Sequence, residues 1–236
     1  MRDRFVGDVG DFGKYGLLRA LCGRDLRLGV VWYYVGDRMT TYLRDPGRFS
    51  ACDPQLFETL RKVVDNCQRK LSSIKDSGIF PQRTVFFPEP VPTQLEMRQA
   101  WGERAAKEMK QCHVVFLDPD NGLRADPPVD GKVSSQYVYH SDDYSDIKPF
   151  FRKNRTIVIY HHLARIKKEA VESEVQWRAA EIRKHLGIAG DVWALVWHPY
   201  APRAYFIIPN GREAVLRPRI EAMHNPPWGE HFERIL

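Results

Sequence analysis

His113-Val114-Val115-Phe116-Leu117-Asp118-Pro119-Asp120-Asn121-Gly122-Leu123 is an apolar run that stops abruptly on acids, an amide and a glycine. Residues 113–117 have the length of a strand and no polar alternation, the pattern of a strand covered on both faces. Asp118 then projects a carboxylate from the edge of the sheet. Pro119 fixes the turn and gives up its amide hydrogen, which leaves a carbonyl as an acceptor. Asp118 and that carbonyl can together accept two protons from an exocyclic amine. Alternatively, Asp118 and Asp120 can hold a hard cation through oxygen. A plain structural turn would also use Asn121 and Gly122 for unusual backbone angles.

Outward from this stretch the chain alternates strands and helices. Residues 28–35, 84–87 and 156–160 read as further short buried strands. Residues 13–21, 54–73, 93–111 and 163–186 read as helices, the third opened by a Thr93/Glu96 capping box and the last ended by Gly187. Residues 146–152 suggest a short helix. Residues 193–197 and 204–208 form a closing hairpin. Residues 124–145, with Asp126-Pro127-Pro128 and Gly131, oppose regular structure and read as a long loop or lid. The expectation is one α/β domain over residues 1–236, with a mostly parallel Rossmann-like sheet, helices on both faces and a C-terminal antiparallel hairpin.

In such sheets ligands bind beyond the carboxyl ends of the strands. Gly36-Asp37, Pro88-Glu89, Asp118–Asn121 and His161-His162 stand at those ends. Adjacent residues of a strand point opposite ways, so at most one of the two histidines faces a site, and His161 is a candidate acid, base or ligand. Gly7-Asp8-Val9-Gly10-Asp11-Phe12-Gly13-Lys14-Tyr15 is glycine-rich before a helix. Lys14 and Tyr15 can reach a ligand from the first helical turn, although Asp8 and Asp11 oppose an anion there. Tyr33-Tyr34 suggests either a stacking surface or one core and one surface ring. Arg203 and the runs 152–155 and 165–168 are candidate phosphate contacts or simply solvated charges.

The bulk composition is permissive. The chain has 236 residues, 43% of them hydrophobic, and a net charge of +6, which admits an acidic partner such as RNA or DNA. No apolar run is long enough to span a membrane, and the charged N-terminal residues do not form a secretory signal, so a cytoplasmic protein is expected. The 4 cysteines lack CxxC spacing, so neither a zinc site nor a disulfide framework is expected.

The order of these motifs resembles the bacterial large-subunit ribosomal RNA adenine-N6 methyltransferases that carry an Asp-Pro-Pro-Tyr motif. Lys14-Tyr15 stands where that family has Lys-His, Val85-Phe86-Phe87-Pro88-Glu89-Pro90 is similar to its Tyr-Tyr-Pro-Gly-Ser-Pro, and Phe116–Asn121 is similar to its Leu-Ile-Asp-Pro-Pro-Tyr. The resemblance implies a methyltransferase-type fold and a nucleic-acid substrate. It implies S-adenosylmethionine bound by Lys14, Tyr15, Gly36, Asp37 and Glu89, and catalysis by Asp118, Pro119, Asp120 and Asn121, joined by His161. The chain departs from the family in three places. It has one glycine in Val35-Gly36-Asp37, it lacks room for a strand between Pro88 and Asp118, and Asn121 replaces the aromatic ring that stacks on the target base. Two other readings of the same residues remain: a nuclease or phosphodiesterase using Mg2+ or Mn2+ on Asp118 and Asp120, and a non-catalytic nucleic-acid-binding module.

Overall fold

Strands and helices alternate in the computed structural model, which describes residues 6–33, 46–126, 128, 130–141, 143–163 and 166–235. In chain order the elements are α1 (Val9–Cys22), β1 (Leu28–Trp32), α2 (Pro46–Phe49), α3 (Pro54–Asp65), α4 (Leu71–Asp76), β2 (Val85–Phe87), α5 (Leu95–Glu108), β3 (Val114–Asp118), β4 (Gly122–Arg124), β5 (Tyr137–Tyr139), β6 (Thr156–His162), α6 (Val171–Leu186), β7 (Trp193–Trp197), β8 (Arg203–Ile208), α7 (Glu213–Ala222) and β9 (Phe232–Arg234). Seven strands form one sheet in the order β2-β1-β3-β6-β8-β7-β9. The first four are parallel. β8 runs antiparallel to both β6 and β7, and β9 is antiparallel to β7. The expected α/β fold with a C-terminal antiparallel part is therefore present. β8 enters between β6 and β7, and α7 and β9 are additions that the sequence reading did not include.

Strand alternation divides the core into two layers. Val30, Phe116 and Val158 face α1, α3 and α7, while Val31, Val115, Leu117 and Ile157 face α5 and α6. Every residue of β1 and β3 is buried, which explains their unbroken apolar runs. No helix among the described residues is long and apolar enough to cross a membrane.

Several boundaries differ from the sequence reading for local reasons. The helix expected over 54–73 is two, α3 and α4. It breaks because Cys67 adopts φ 56°, the Gln68 amide donates to the Val63 carbonyl (2.9 Å) and the Cys67 amide to that of Val64 (3.1 Å), a left-handed cap that ends a helix. The Thr93/Glu96 capping box does not form: α5 starts after Gln94, which makes no side-chain capping bond, and the Thr93 carbonyl accepts from the Val133 amide instead. Residues 146–152 hold only the 3-10 turn Lys148–Phe150.

The stretch 124–145 is largely irregular, as its prolines and acids suggest, but it contains one short strand. Tyr137–Tyr139 pairs in parallel with Gly122–Arg124 to form a small second sheet. Arg98 of α5 organises it from beneath. This fully buried guanidinium donates to the Asp146 carboxylate (2.6 Å) and to the Ser134 and Tyr137 carbonyls, a fork of donors suited to several acceptors at once.

Candidate active site

β1 connects to β2 on one side of it, and the chain then returns to place β3 on the other. The gap between the carboxyl ends of β1 and β3 is thus the point where strand order reverses, the usual ligand position in open α/β sheets. Asp118 ends β3 there, opposite Trp32 of β1. Its carbonyl accepts from the Tyr33 amide (3.2 Å). Because Phe116 faces α1, period-two alternation aims Asp118 at α1 as well.

α1 lies close to the sheet because its glycines let it. A Cβ on Gly10 would stand 2.5 Å from the Arg203 guanidinium carbon, one on Gly13 2.5 Å from the Trp197 ring, and one on Gly16 would overlap the Trp228 ring. The glycine spacing that suggested a ligand-binding loop is a packing stripe, three residues apart along one helix face. Asp8 caps the helix by accepting from the Asp11 amide (2.8 Å).

This close approach sets Lys14 between two carboxylates. Its Nζ lies 3.0 Å from Asp11 Oδ1 and 2.9 Å from Asp118 Oδ2. All three side chains are buried, with Asp118 only 1% exposed. The carboxylate expected to project from the sheet edge is therefore covered and ion-paired. Burial opposes the charge on Lys14, but Asp11 and Asp118 outweigh it and raise its pKa well above the ordinary lysine value. Asp11 moves up to about 6, because burial outweighs the nearby ammonium. Tyr160 and Tyr205 complete the wall, with Lys14 Nζ 5.4 Å from the Tyr160 ring centroid and burial raising both phenols.

Arg203 converges on the same place. It is not an exposed hairpin arginine. Its guanidinium rests on Gly10, donates to the Ala201 carbonyl (2.8 Å) and stands 3.8 Å from Asp8.

The two histidines separate onto opposite faces. His161 turns toward α6, where Nδ1 accepts the Leu123 amide (3.0 Å) and Nε2 stands 3.9 Å from Glu174. Gly122, at φ 110°, presses against this ring where any Cβ would collide. His161 therefore braces the turn that follows Asp118 from behind, and its candidate role as acid, base or ligand beside Asp118 is corrected. His162 faces the α1 side: its Nδ1 lies 3.3 Å from the Tyr160 hydroxyl. Its pKa falls to about 4 through burial and then Arg203, with His161 adding to the fall. Of the pair, His162 is the one that shares a face with Asp118.

The remaining candidates divide similarly. Pro119 is buried and Asp120 half-buried at the turn. Asn121 holds the second sheet, its amide donating to the Gln136 carbonyl (2.8 Å) and its Nδ2 to Gln136 Oε1 (2.9 Å). Tyr15 is a buried ring packed edge-on to Phe80, and Tyr33 is likewise a core ring against Trp101. Gly36, Asp37 and Tyr34 lie outside the described residues, as does Arg165. Of the basic run 152–155, Arg155 is buried at the opposite edge of the sheet, donating to the carbonyls of Met109, Lys110, Cys112 and Phe150.

The described residues do not fit the S-adenosylmethionine cradle that the resemblance implies. Glu89, placed at the cofactor by that resemblance, is exposed and gripped by Arg104 (2.6 Å), whose hydrogen bond lowers its pKa. Lys14 and Tyr15 are buried in the core. For Mg2+ or Mn2+, Asp118 and Asp120 would need a free oxygen cluster. The Lys14 ammonium instead occupies the place beside Asp118, and no group of three or more His, Cys, Asp or Glu able to hold a metal occurs among the described residues. No protein-family model matches the chain, and comparison with curated proteins finds no match.

Proposed function

We propose that this chain is an enzyme that modifies nucleic acid, with its catalytic centre at Asp118. The observation that carries this reading is the buried Asp11–Lys14–Asp118 cluster at the point where strand order reverses. Removing three charges from water costs several kcal/mol per ion, and an ordinary strand end needs none of them. Concentrating that cost at the one edge where α/β sheets bind ligands is what a functional site does.

In this reading Lys14 is a positioning residue that orients the Asp118 carboxylate. Asp118 and the Pro119 carbonyl accept the hydrogens of an exocyclic amine. Asp118 has almost no exposed surface, so substrate binding must uncover it. The basic balance of the chain, +6, suits a polyanionic substrate.

The test incubates pooled RNA and DNA with the full chain, with and without S-adenosylmethionine, and reads altered nucleosides by mass spectrometry after digestion. An altered nucleoside is expected, with a loss of roughly a hundredfold or more in Asp118→Asn. No altered nucleoside in either pool under either condition would overturn the reading.

A further inference from the structure

A cavity of about 530 Å3 opens beside the second sheet, between the start of α5 and the ends of β4 and β5. Arg124 and Lys132 stand in its wall, with Thr93, Gln94 and Ser134 supplying polar groups and Tyr139 closing it. Among the described residues, its wall contains two cations and no acid. Arg124 has an ion partner in Asp126 at 3.1 Å, but their side chains are 44% and 73% exposed. Such a pair contributes little in water, and a phosphate can compete for the guanidinium.

The cavity is tied directly to the candidate active site. Asn121 bonds Gln136 on the strip that leads into β5, and β4 starts within four residues of Asp118. Six residues separate Asp118 from Arg124 in the chain, so even a fully extended path keeps them within about 22 Å. That is a span of a few nucleotides along a single strand.

We propose that this cavity holds a backbone phosphate of the nucleic-acid substrate, a few nucleotides from the base that reaches Asp118. The assignment rests on the nucleic-acid reading above and adds the substrate contact that sets register. Arg124 grips the phosphate through its planar fork, and Lys132 adds a second charge.

The test measures binding of a short fluorescein-labelled single-stranded RNA to the full chain by anisotropy across a salt series, with Arg124→Ala/Lys132→Ala as the variant. Both side chains are exposed, so the variant should melt at the wild-type temperature. The expected result is about tenfold weaker binding and a salt slope reduced by roughly one. Equal affinity and slope in the two proteins would overturn the cavity assignment and leave the nucleic-acid reading standing. No binding by the wild type at low salt would overturn both. A third arm uses inorganic phosphate at constant ionic strength. If phosphate stabilises the wild type but not the variant while RNA binds both equally, the cavity serves a free phosphate and the backbone assignment fails.

Discussion

Lys14 is the residue on which the charge balance of the site depends. Its ammonium lies within 3.0 Å of two buried carboxylates, so Lys14→Met removes the cation that both share. Removing one partner of a buried ion cluster costs about 3–5 kcal/mol, and urea unfolding at pH 8 should show a loss of that size. The loss should shrink at pH 5, because Asp11, already raised to about 6 in the wild type, then takes up a proton and no longer needs a partner. A penalty independent of pH would mean that Lys14 contributes only packing. The histidine pair teaches a second lesson at this scale. Leu117 pairs with Ile159 across β3 and β6, so Asp118 shares a face with Tyr160 and His162, not with His161. Counting by two from the apolar residues of both strands identifies His162, given the register. The register is the missing quantity, since a slip of one residue reverses every face.

At the scale of the element, α1 shows how one pattern serves two purposes. Gly10 and Gly13 belong to the glycine-rich stretch before the helix, yet they and Gly16 each receive a large side chain from the antiparallel half of the molecule. Gly13→Ala tests this directly. Alanine favours a helix interior over glycine by about 1 kcal/mol, whereas forcing a methyl into a packed ring costs typically 1–3 kcal/mol. With a Cβ only 2.5 Å from the Trp197 ring, overpacking should win and the variant should unfold at lower denaturant than the wild type. Adding Trp197→Phe, which shortens the opposing ring, should recover part of the loss. If Gly13→Ala is neutral or stabilising by itself, the close-packed stripe is not what holds α1 in place. The second sheet makes the complementary point. Its strands are three residues each, too short for a periodic signal. Their order comes from Arg98, 48 positions away from its partner Asp146 in the chain.

For the molecule as a whole, the interface between α6 and the second sheet predicts an acid sensitivity. His140 is wholly buried, and neither ring nitrogen has a hydrogen-bond partner. Glu181, Arg178 and His185 of α6 and His161 of β6 face it, with Glu181 at 3.9 Å and the His185 ring centroid at 5.8 Å. Burial first, then Arg178, His185 and His161, lowers its pKa from 6.5 to about 4. The sign follows from linkage: between those values the unfolded chain binds a proton that the folded chain refuses. His140 therefore withdraws stability as pH falls from 6.5 toward 4, by up to about 3 kcal/mol. Asp11 acts in the opposite direction, since its pKa is raised on folding, so the measurement must be a difference. Unfolding free energies of wild type and His140→Leu, followed from pH 7 to 4.5, should diverge with the wild type losing more. Parallel curves would show that the imidazole titrates as it does in water.

The alternation of apolar runs with amphipathic segments was enough to establish the α/β class and the buried parallel strands, because hydrophobic periodicity is a local property of neighbouring residues. Which helix reaches Asp118, whether its carboxylate meets solvent or a lysine, which histidine shares its face and where Arg203 lies depend on contacts between residues far apart in the chain, such as the 3.8 Å approach of Arg203 to Asp8, 195 positions away. Strand order, register and the depth at which α1 packs set those contacts. They follow from the joint burial of many side chains, which no single stretch of the chain encodes.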